Sequence, residues 1–315
     1  MKYGKIYVTA ALFLCAGLIV FVIGFAMMGF NVMNFDTEPA YVQRSYSLDG
    51  NVSSISVCEE NANVNVVISK DKKINLKYYE NGEKTYTISK LADGSICIKK
   101  DNAGNFINNF FAFSVSTPIL TIEIPEKYAG KLLIENSDGN IAVEGICMGT
   151  LSAETDNGYV RIYESSFSGN VDVETEDGNI ELYQVKVDGT AKITADNGRL
   201  FSQSVTAGEL YMEADNGFMT LVDTSASGSI FAESDNCDIE ISSISFENAI
   251  TLIAENGDIK GSVIGSETDF AFNCVATNGT SNLENIISNG RKQLNLRTEN
   301  GDIEINFIST ASPQE

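Results

Sequence analysis

The stretch Thr175-Glu-Asp-Gly-Asn-Ile-Glu-Leu182 is one of nine versions of a single phrase between Glu135 and Phe307. The others read Asn136-Ser-Asp-Gly-Asn-Ile141, Thr155-Asp-Asn-Gly-Tyr-Val160, Ala195-Asp-Asn-Gly-Arg-Leu200, Ala214-Asp-Asn-Gly-Phe-Met219, Ser234-Asp-Asn-Cys-Asp-Ile239, Ala254-Glu-Asn-Gly-Asp-Ile259, Ala276-Thr-Asn-Gly-Thr-Ser281 and Thr298-Glu-Asn-Gly-Asp-Ile303. Their central residues are Gly139, Gly158, Gly178, Gly198, Gly217, Cys237, Gly257, Gly279 and Gly301, spaced 19, 20, 20, 19, 20, 20, 22 and 22 residues apart. A period that steady marks stacked repeats, each too short to bury its own apolar face.

Aligned on the central residue, an apolar side chain recurs two places later (Ile141, Val160, Ile180, Leu200, Met219, Ile239, Ile259, Ile303), and often four places later (Val143, Ile162, Leu182, Leu221, Ile241, Ile305). Polar residues such as Arg161, Glu181 and Glu240 fall between them. Alternation of period two is a strand with one buried face. A second strand precedes the centre, with Leu132, Leu151, Val171, Leu210 and Ile230 seven places before it and Ile134, Ala153, Val173, Met212 and Leu252 five before. Three places before, the residue is nearly always small: Thr155, Thr175, Ala195, Ala214, Ser234, Ala254. The phrase therefore reads as strand, tight Asn-Gly or Asp-Gly corner, strand, with the glycine expected at positive φ. Gly149, Gly169, Gly189, Gly208 and Gly228 keep the same step and mark a second corner. Two all-β arrangements satisfy this pattern: a parallel β-solenoid of about 20-residue rungs, or an antiparallel meander of hairpins. The recurrent small inward residue favours the solenoid, where it forms one column.

Thr155-Asp-Asn-Gly-Tyr-Val-Arg-Ile162 and Thr175-Glu-Asp-Gly-Asn-Ile-Glu-Leu182, with Ile122-Glu-Ile-Pro-Glu126 as lead-in, resemble the strand repeats of the "putative adhesin" family, bacterial (Firmicutes-type) membrane-anchored surface proteins of unknown function. The resemblance covers most of the chain after residue 50. It implies a right-handed parallel β-helix on the outside of a cell, and it supplies no catalytic residues.

Residues 1–33 form a short cytoplasmic stub and an N-terminal transmembrane helix: Lys2 and Lys5 precede an apolar run from Ile6 to Phe30, and Asp36 and Glu38 follow. That run is long enough for a bilayer core of about 30 Å. Its flanking charges place the N-terminus inside and the remainder extracellular, as a single-pass protein of the cell membrane. A cleaved signal peptide is the alternative, although no clean Ala-x-Ala site is present. Residues 34–50 read as a linker, 51–130 as irregular β rungs or a cap, 131–308 as the regular solenoid and 309–315 as a tail. Phe106, Phe110, Phe111 and Phe113 interrupt the cap, and read as a plug over the solenoid end or as an aromatic patch.

The net charge of −22 argues against nucleic acid as a partner. The absence of histidine removes Ser-His-Asp, Cys-His and histidine-ligated zinc chemistry. Cys58 and Cys97 could pair, and Cys274 falls in an inward column. The one site that the pattern suggests is acidic. Asp156, Glu176, Asp196, Asp215, Asp235 and Glu255 stand two places before the centre, and Glu135, Glu154, Glu174, Glu213 and Glu233 stand four before. Stacked rungs turn these into columns of like charge. They read either as a solvated surface or as a ladder bridged by Ca²⁺, with Asn157, Asn197, Asn216 and Asn236 lending oxygens. No other cofactor is expected. The function expected is a non-catalytic surface binding module whose partner is a wall polymer, a host surface or an envelope protein. The alternatives are an accessory component of an envelope-stress response and a polysaccharide-acting enzyme, the latter by fold analogy alone.

Overall fold

A computed structural model of the chain describes residues 2–27, 29–30, 40–49, 51–102, 117–284 and 290–309, with side chains from residue 13 onward. The phenylalanine-rich segment (Phe106, Phe110, Phe111, Phe113), most of the linker before residue 40 and the tail after 309 lie outside the described residues. By its contacts the chain divides into two units: 1–42 with 80–85 and 102–117, and 43–79 with 86–101 and 118–315.

The first unit contains the helix Lys2–Met27. Most of its described apolar side chains are exposed, Phe13, Leu18, Phe21 and Met27 among them, and Phe25 is half-buried. Among the described residues, no helix is long and apolar enough to cross a membrane.

The second unit is the solenoid, and its rungs stack in parallel. Leu151, Ala153 and Thr155 lie opposite Val171, Val173 and Thr175, which lie opposite Ala191, Ile193 and Ala195. The second strands match in the same way, Val160 on Ile180 and Ile180 on Leu200. Parallel register rules out the meander of hairpins. The alternating inward residues are buried: Ile55, Val64, Leu132, Val160, Ile180, Leu200 and Ile239 have no exposed surface.

Each regular coil has three sides, where the sequence pattern shows two strands. After Val160–Tyr163 the chain turns and adds a short third strand, Ser166–Phe167, which pairs with Cys147–Met148 on one edge and Lys186–Val187 on the other. Its inward column runs Met148, Phe167, Val187, Ala207, Ala226, Phe246, all buried. A third side only two residues long is too short to show period-two alternation.

The central glycine does not act as expected. Of the nine central places only Gly217 has a φ in the positive range, at 149°. The left-handed residues come six places later, at the turn into the third side: Glu164, Gln184, Ser204, Asp223 and Ser243, with φ of 46–56°, and Gly145 at 67°. There Glu164, Gln184, Ser204 and Asp223 each donate their N–H to a carbonyl of the adjoining rung, at 2.9–3.0 Å. Stacking thus holds a conformation that L-residues otherwise avoid. The central glycine is required instead by close approach. A Cβ at Gly158, Gly178 or Gly198 would stand 2.2, 1.7 or 1.7 Å from the carbonyl oxygen of the glycine in the rung beneath. The small residue three places earlier meets the same carbonyl: Thr155 Oγ1 donates to the Gly139 oxygen at 2.9 Å and Thr175 Oγ1 to that of Gly158 at 3.1 Å.

Both ends of the stack depart from chain order. The rung containing Ser54–Glu59 and Asn63–Ile68 lies directly against the first regular rung, Ile55 opposite Leu132 and Val64 opposite Ile141. Its other edge carries Ile96 and Leu120, which come later in the chain. At the far end Ala254 lies opposite Thr298, which lies opposite Ala276, so the last repeat inserts between its two predecessors. Lys73–Glu80 then pairs antiparallel with Ile119–Ile124. An antiparallel strand laid on the parallel stack in this way covers an edge that would otherwise recruit further strands.

Candidate functional site

The outer faces of the rungs carry three longitudinal features. The first is acidic. Parallel register aligns Glu135, Glu154 and Glu174 in one column, interrupted by Thr194 and resumed by Glu213 and Glu233. Asp156, Glu176, Asp196, Asp215, Asp235 and Glu255 form the neighbouring column, held in step by rung-to-rung backbone hydrogen bonds such as Asp177 N–H to the Asp156 oxygen and Asn236 N–H to that of Asp215. The structure therefore brings together all the acids selected from the sequence. Burial, then the charges of Asp235 and Asp196, push the Asp215 carboxyl up. Burial and the flanking glutamates do the same to Glu154 and Glu233. A carboxyl raised in the folded state binds more protons there, so these groups favour folding increasingly as pH falls through their raised values.

The second feature occupies the next column, and the sequence reading did not see it. Asn216 Nδ2 donates to Asn197 Oδ1, Asn236 to Asn216 and Asn256 to Asn236, each at 3.0–3.1 Å. Asn300 continues to Asn256 at 2.8 Å and Asn278 to Asn300 at 2.9 Å. Asn157 and Asn197 begin the series on Asp138 and Asp177. Three of the four amide oxygens named as calcium ligands, those of Asn197, Asn216 and Asn236, thus accept from the neighbouring rung. Among the described residues no group of three or more His, Cys, Asp or Glu is arranged to hold a metal ion. At fixed ionic strength, millimolar Ca²⁺ and Mg²⁺ are expected to change the melting midpoint to the same extent, as divalent counterions of the columns with no specific site. A rise specific to Ca²⁺ that disappears in Asp196→Asn/Asp215→Asn would show a bridging ion instead.

The third feature is aromatic and lies on the outer face of the second strand. Tyr163 packs against Tyr183 with ring centroids 5.3 Å apart and planes inclined by 38°, and Tyr183 against Phe201 at 5.2 Å and 42°. Arg161 Nε and Nη2 donate to Glu181 at 2.9 and 2.7 Å beside these rings. The Arg199 guanidinium lies 4.6 Å over the Phe201 ring. On the first strand's outer face, Tyr211 and Phe231 pack with centroids 6.1 Å apart and planes inclined by 36°. Period-two reading assigns such positions to solvent without saying which of them meet.

All six cysteines are free. Register places Cys97 opposite Ser56 and Cys58 opposite Lys99, so the two thiols lie diagonally and the Cys58–Cys97 pairing is not formed. Cys58 faces Glu135 at 3.5 Å, and burial and that carboxylate push its thiol up. Cys274 is buried as its column implied, and burial pushes its thiol up to about 11.

The family described as Toastrack DUF4097 matches residues 52–306, the span of the stacked rungs. No curated protein matches the chain. Among solved structures the chain is similar to a "putative adhesin" from Parabacteroides merdae, with 10% identity and a TM-score of 0.50, covering 84% of this chain and 96% of that one. A "putative adhesin" from Bacteroides fragilis is 11% identical with a TM-score of 0.41, covering 85% of this chain and 97% of that one.

Proposed function

Because the chain belongs to the Toastrack DUF4097 family, we propose that it is a non-catalytic, adhesin-like binding module, anchored in the cell membrane by its N-terminal helix with the solenoid outside the cell. The observation that carries this reading is the set of exposed aromatic side chains, Tyr159, Tyr163, Tyr211 and Phe218, on the outer faces of a solenoid whose inward residues are closely packed. Ring surface left in water costs free energy, and contiguous exposed apolar surface marks interaction sites. A parallel stack fixes the spacing of such groups without spending conformational entropy on binding.

The apolar sequence from Ile6 to Phe30, flanked by Lys2 and Lys5 on one side and Asp36 and Glu38 on the other, supports the anchor and its orientation. A helix apolar on every side has no polar face to turn to water. The lack of histidine and the regular repetition of the acids support a role without catalysis.

The test is retention of the full chain, reconstituted in lipid nanodiscs, on purified cell-wall sacculi. The expected result is saturable retention that falls at least fivefold in a Tyr163→Ala/Tyr211→Ala/Phe218→Ala variant with an unchanged melting midpoint. Retention no better than empty nanodiscs on sacculi, intact host cells and envelope-protein extracts alike would overturn the reading.

A further inference from the structure

We infer that the strip Tyr163–Tyr183–Phe201 binds a neutral glycan chain lying obliquely across the strands. This inference rests on the binding role above and names the ligand class for one of its surfaces.

Three properties of the strip point to that ligand. The first is its direction. The rings come from three successive rungs, and their centroid separations of 5.3 and 5.2 Å set a repeat close to the length of one sugar in an extended β-linked chain. A polymer lying across the rungs would meet one ring per residue. The apolar C–H faces of pyranose rings pack on aromatic faces, and Tyr163 leaves 39% of its surface in water.

The second is the polar rim. Glu181 takes both Arg161 hydrogen bonds on Oε2, which leaves Oε1 of the same carboxylate with acceptor capacity. Arg199, over Phe201, makes no ion pair among the described residues, and its N–H groups are donors. Hydroxyl groups both donate and accept, so a sugar can use both sides of this rim.

The third is charge. The chain carries −22 overall, which repels a polyanion at long range. The strip itself holds one neutralised guanidinium–carboxylate pair, the Arg199 guanidinium beside Phe201, and Glu144 and Glu164 at its Tyr163 end, so it concentrates no charge of one sign that would draw a polycation. The acidic columns that would attract one lie on the first strand. A neutral hydroxylated polymer is the partner that matches both fields.

Calorimetric titration of the full chain in nanodiscs with cellohexaose and with chitohexaose tests this. At least one of them is expected to bind saturably with a Kd below about 1 mM, the weak end of specific recognition. Tyr183→Ala is expected to weaken that binding at least tenfold, and Tyr163→Ala to weaken it similarly. Val275→Ala, exposed on a rung at the far end of the stack, should leave it within twofold. Tyr163 is exposed and Tyr183 half-buried, and a melting midpoint unchanged in at least one of the strip variants separates lost binding from lost folding. Binding of either sugar that is indifferent to both strip variants would overturn the inference. So would binding of polygalacturonate in preference to both neutral sugars. Retention on sacculi without binding of either oligosaccharide would overturn the glycan assignment and leave the binding role standing. Failure of both experiments would remove both.

Discussion

Gly178→Val is expected to destabilise the solenoid by about 3 kcal/mol or more, at the upper end of what overpacking costs. A Cβ there would lie 1.7 Å from the Gly158 carbonyl oxygen, a distance no atom pair tolerates, so the rungs must part or the chain must shift. The carbonyl cannot simply move aside, because it also accepts the Thr175 hydroxyl. The decisive comparison is with smaller substitutions. If positive φ were the reason for glycine, Gly178→Asn would be mild and Gly178→Ala severe, since Asn accepts that conformation more readily. Gly178 has no positive φ, and close approach penalises any Cβ. Gly178→Ala and Gly178→Asn should therefore both be destabilising, although an alanine at ordinary φ normally stabilises by about 0.4–1 kcal/mol through the unfolded chain. Chemical denaturation of the three variants checks this, and a neutral Gly178→Asn would show that the rungs yield. Cys237 occupies the same column with its own Cβ, and the rung beneath it, at Gly217, is the one whose φ is 149°. The two departures from the column's pattern are neighbours.

Lys100→Met is expected to cost about 3–5 kcal/mol at neutral pH, the range for removing one partner of a buried ion pair. Lys100 and Glu59 have side chains 2% and 0% exposed and are bonded to each other, and Tyr86 donates its hydroxyl to the same carboxylate. Glu59 Oε1 also accepts the N–H groups of Glu60, Asn61 and Ala62 at 3.0–3.3 Å. This glutamate stands three places before Ala62, where the regular rungs carry threonine or alanine, so it shapes the corner of an end rung that has no central glycine. Burial alone would raise its carboxyl, but Lys100, Tyr86 and the Glu60 N–H outweigh it and hold the group below the usual carboxylate range. A depressed folded value means that its stabilisation is complete above the ordinary carboxyl range and is lost as pH falls through the folded value. Without Lys100, burial dominates and the sign reverses. The deficit of Lys100→Met should be largest at neutral pH and shrink toward acid. Glu59→Gln/Lys100→Met should recover part of the loss. Denaturant midpoints measured between pH 4 and pH 8, as a set of about five points, resolve these slopes. A deficit that does not change with pH would mean that Glu59 is not left charged and unpaired.

Much of this architecture was legible in the sequence because one phrase states one rung. The positions two and four after Gly178, Ile180 and Leu182, are inward in the structure as period two requires, and the small column Thr155, Thr175, Ala195 is inward and buried. The acidic columns followed from the same arithmetic. A stack converts every repeated residue into a line, so Asp196 and Asp215 could be placed side by side from the 19-residue step alone. The aromatic strip was not legible, because its members do not occupy the same place in the repeat. Tyr163 and Tyr183 stand five residues after their glycines and Phe201 stands three after Gly198; they meet on a diagonal that only the packing of neighbouring strands creates. Glu59 and Lys100 lie 41 residues apart in the irregular part of the chain, where no period relates them.

By itself, then, the sequence determined the period and the inward faces, and it favoured the parallel stack that turns the repeated acids into lines of charge. All of these depend on residues close in the chain and repeated along it, where local alternation and the cost of exposed apolar surface settle the outcome. The tertiary structure alone decided why the corner needs glycine, which residues turn left-handed and in what order the end rungs stack. Gly178 answers to a carbonyl twenty residues away, Gln184 is held by the Gln203 carbonyl, and Thr298 fits between Ala254 and Ala276. Each of these follows from a close contact between rungs, and such a contact exists only once the chain has been wound back upon itself.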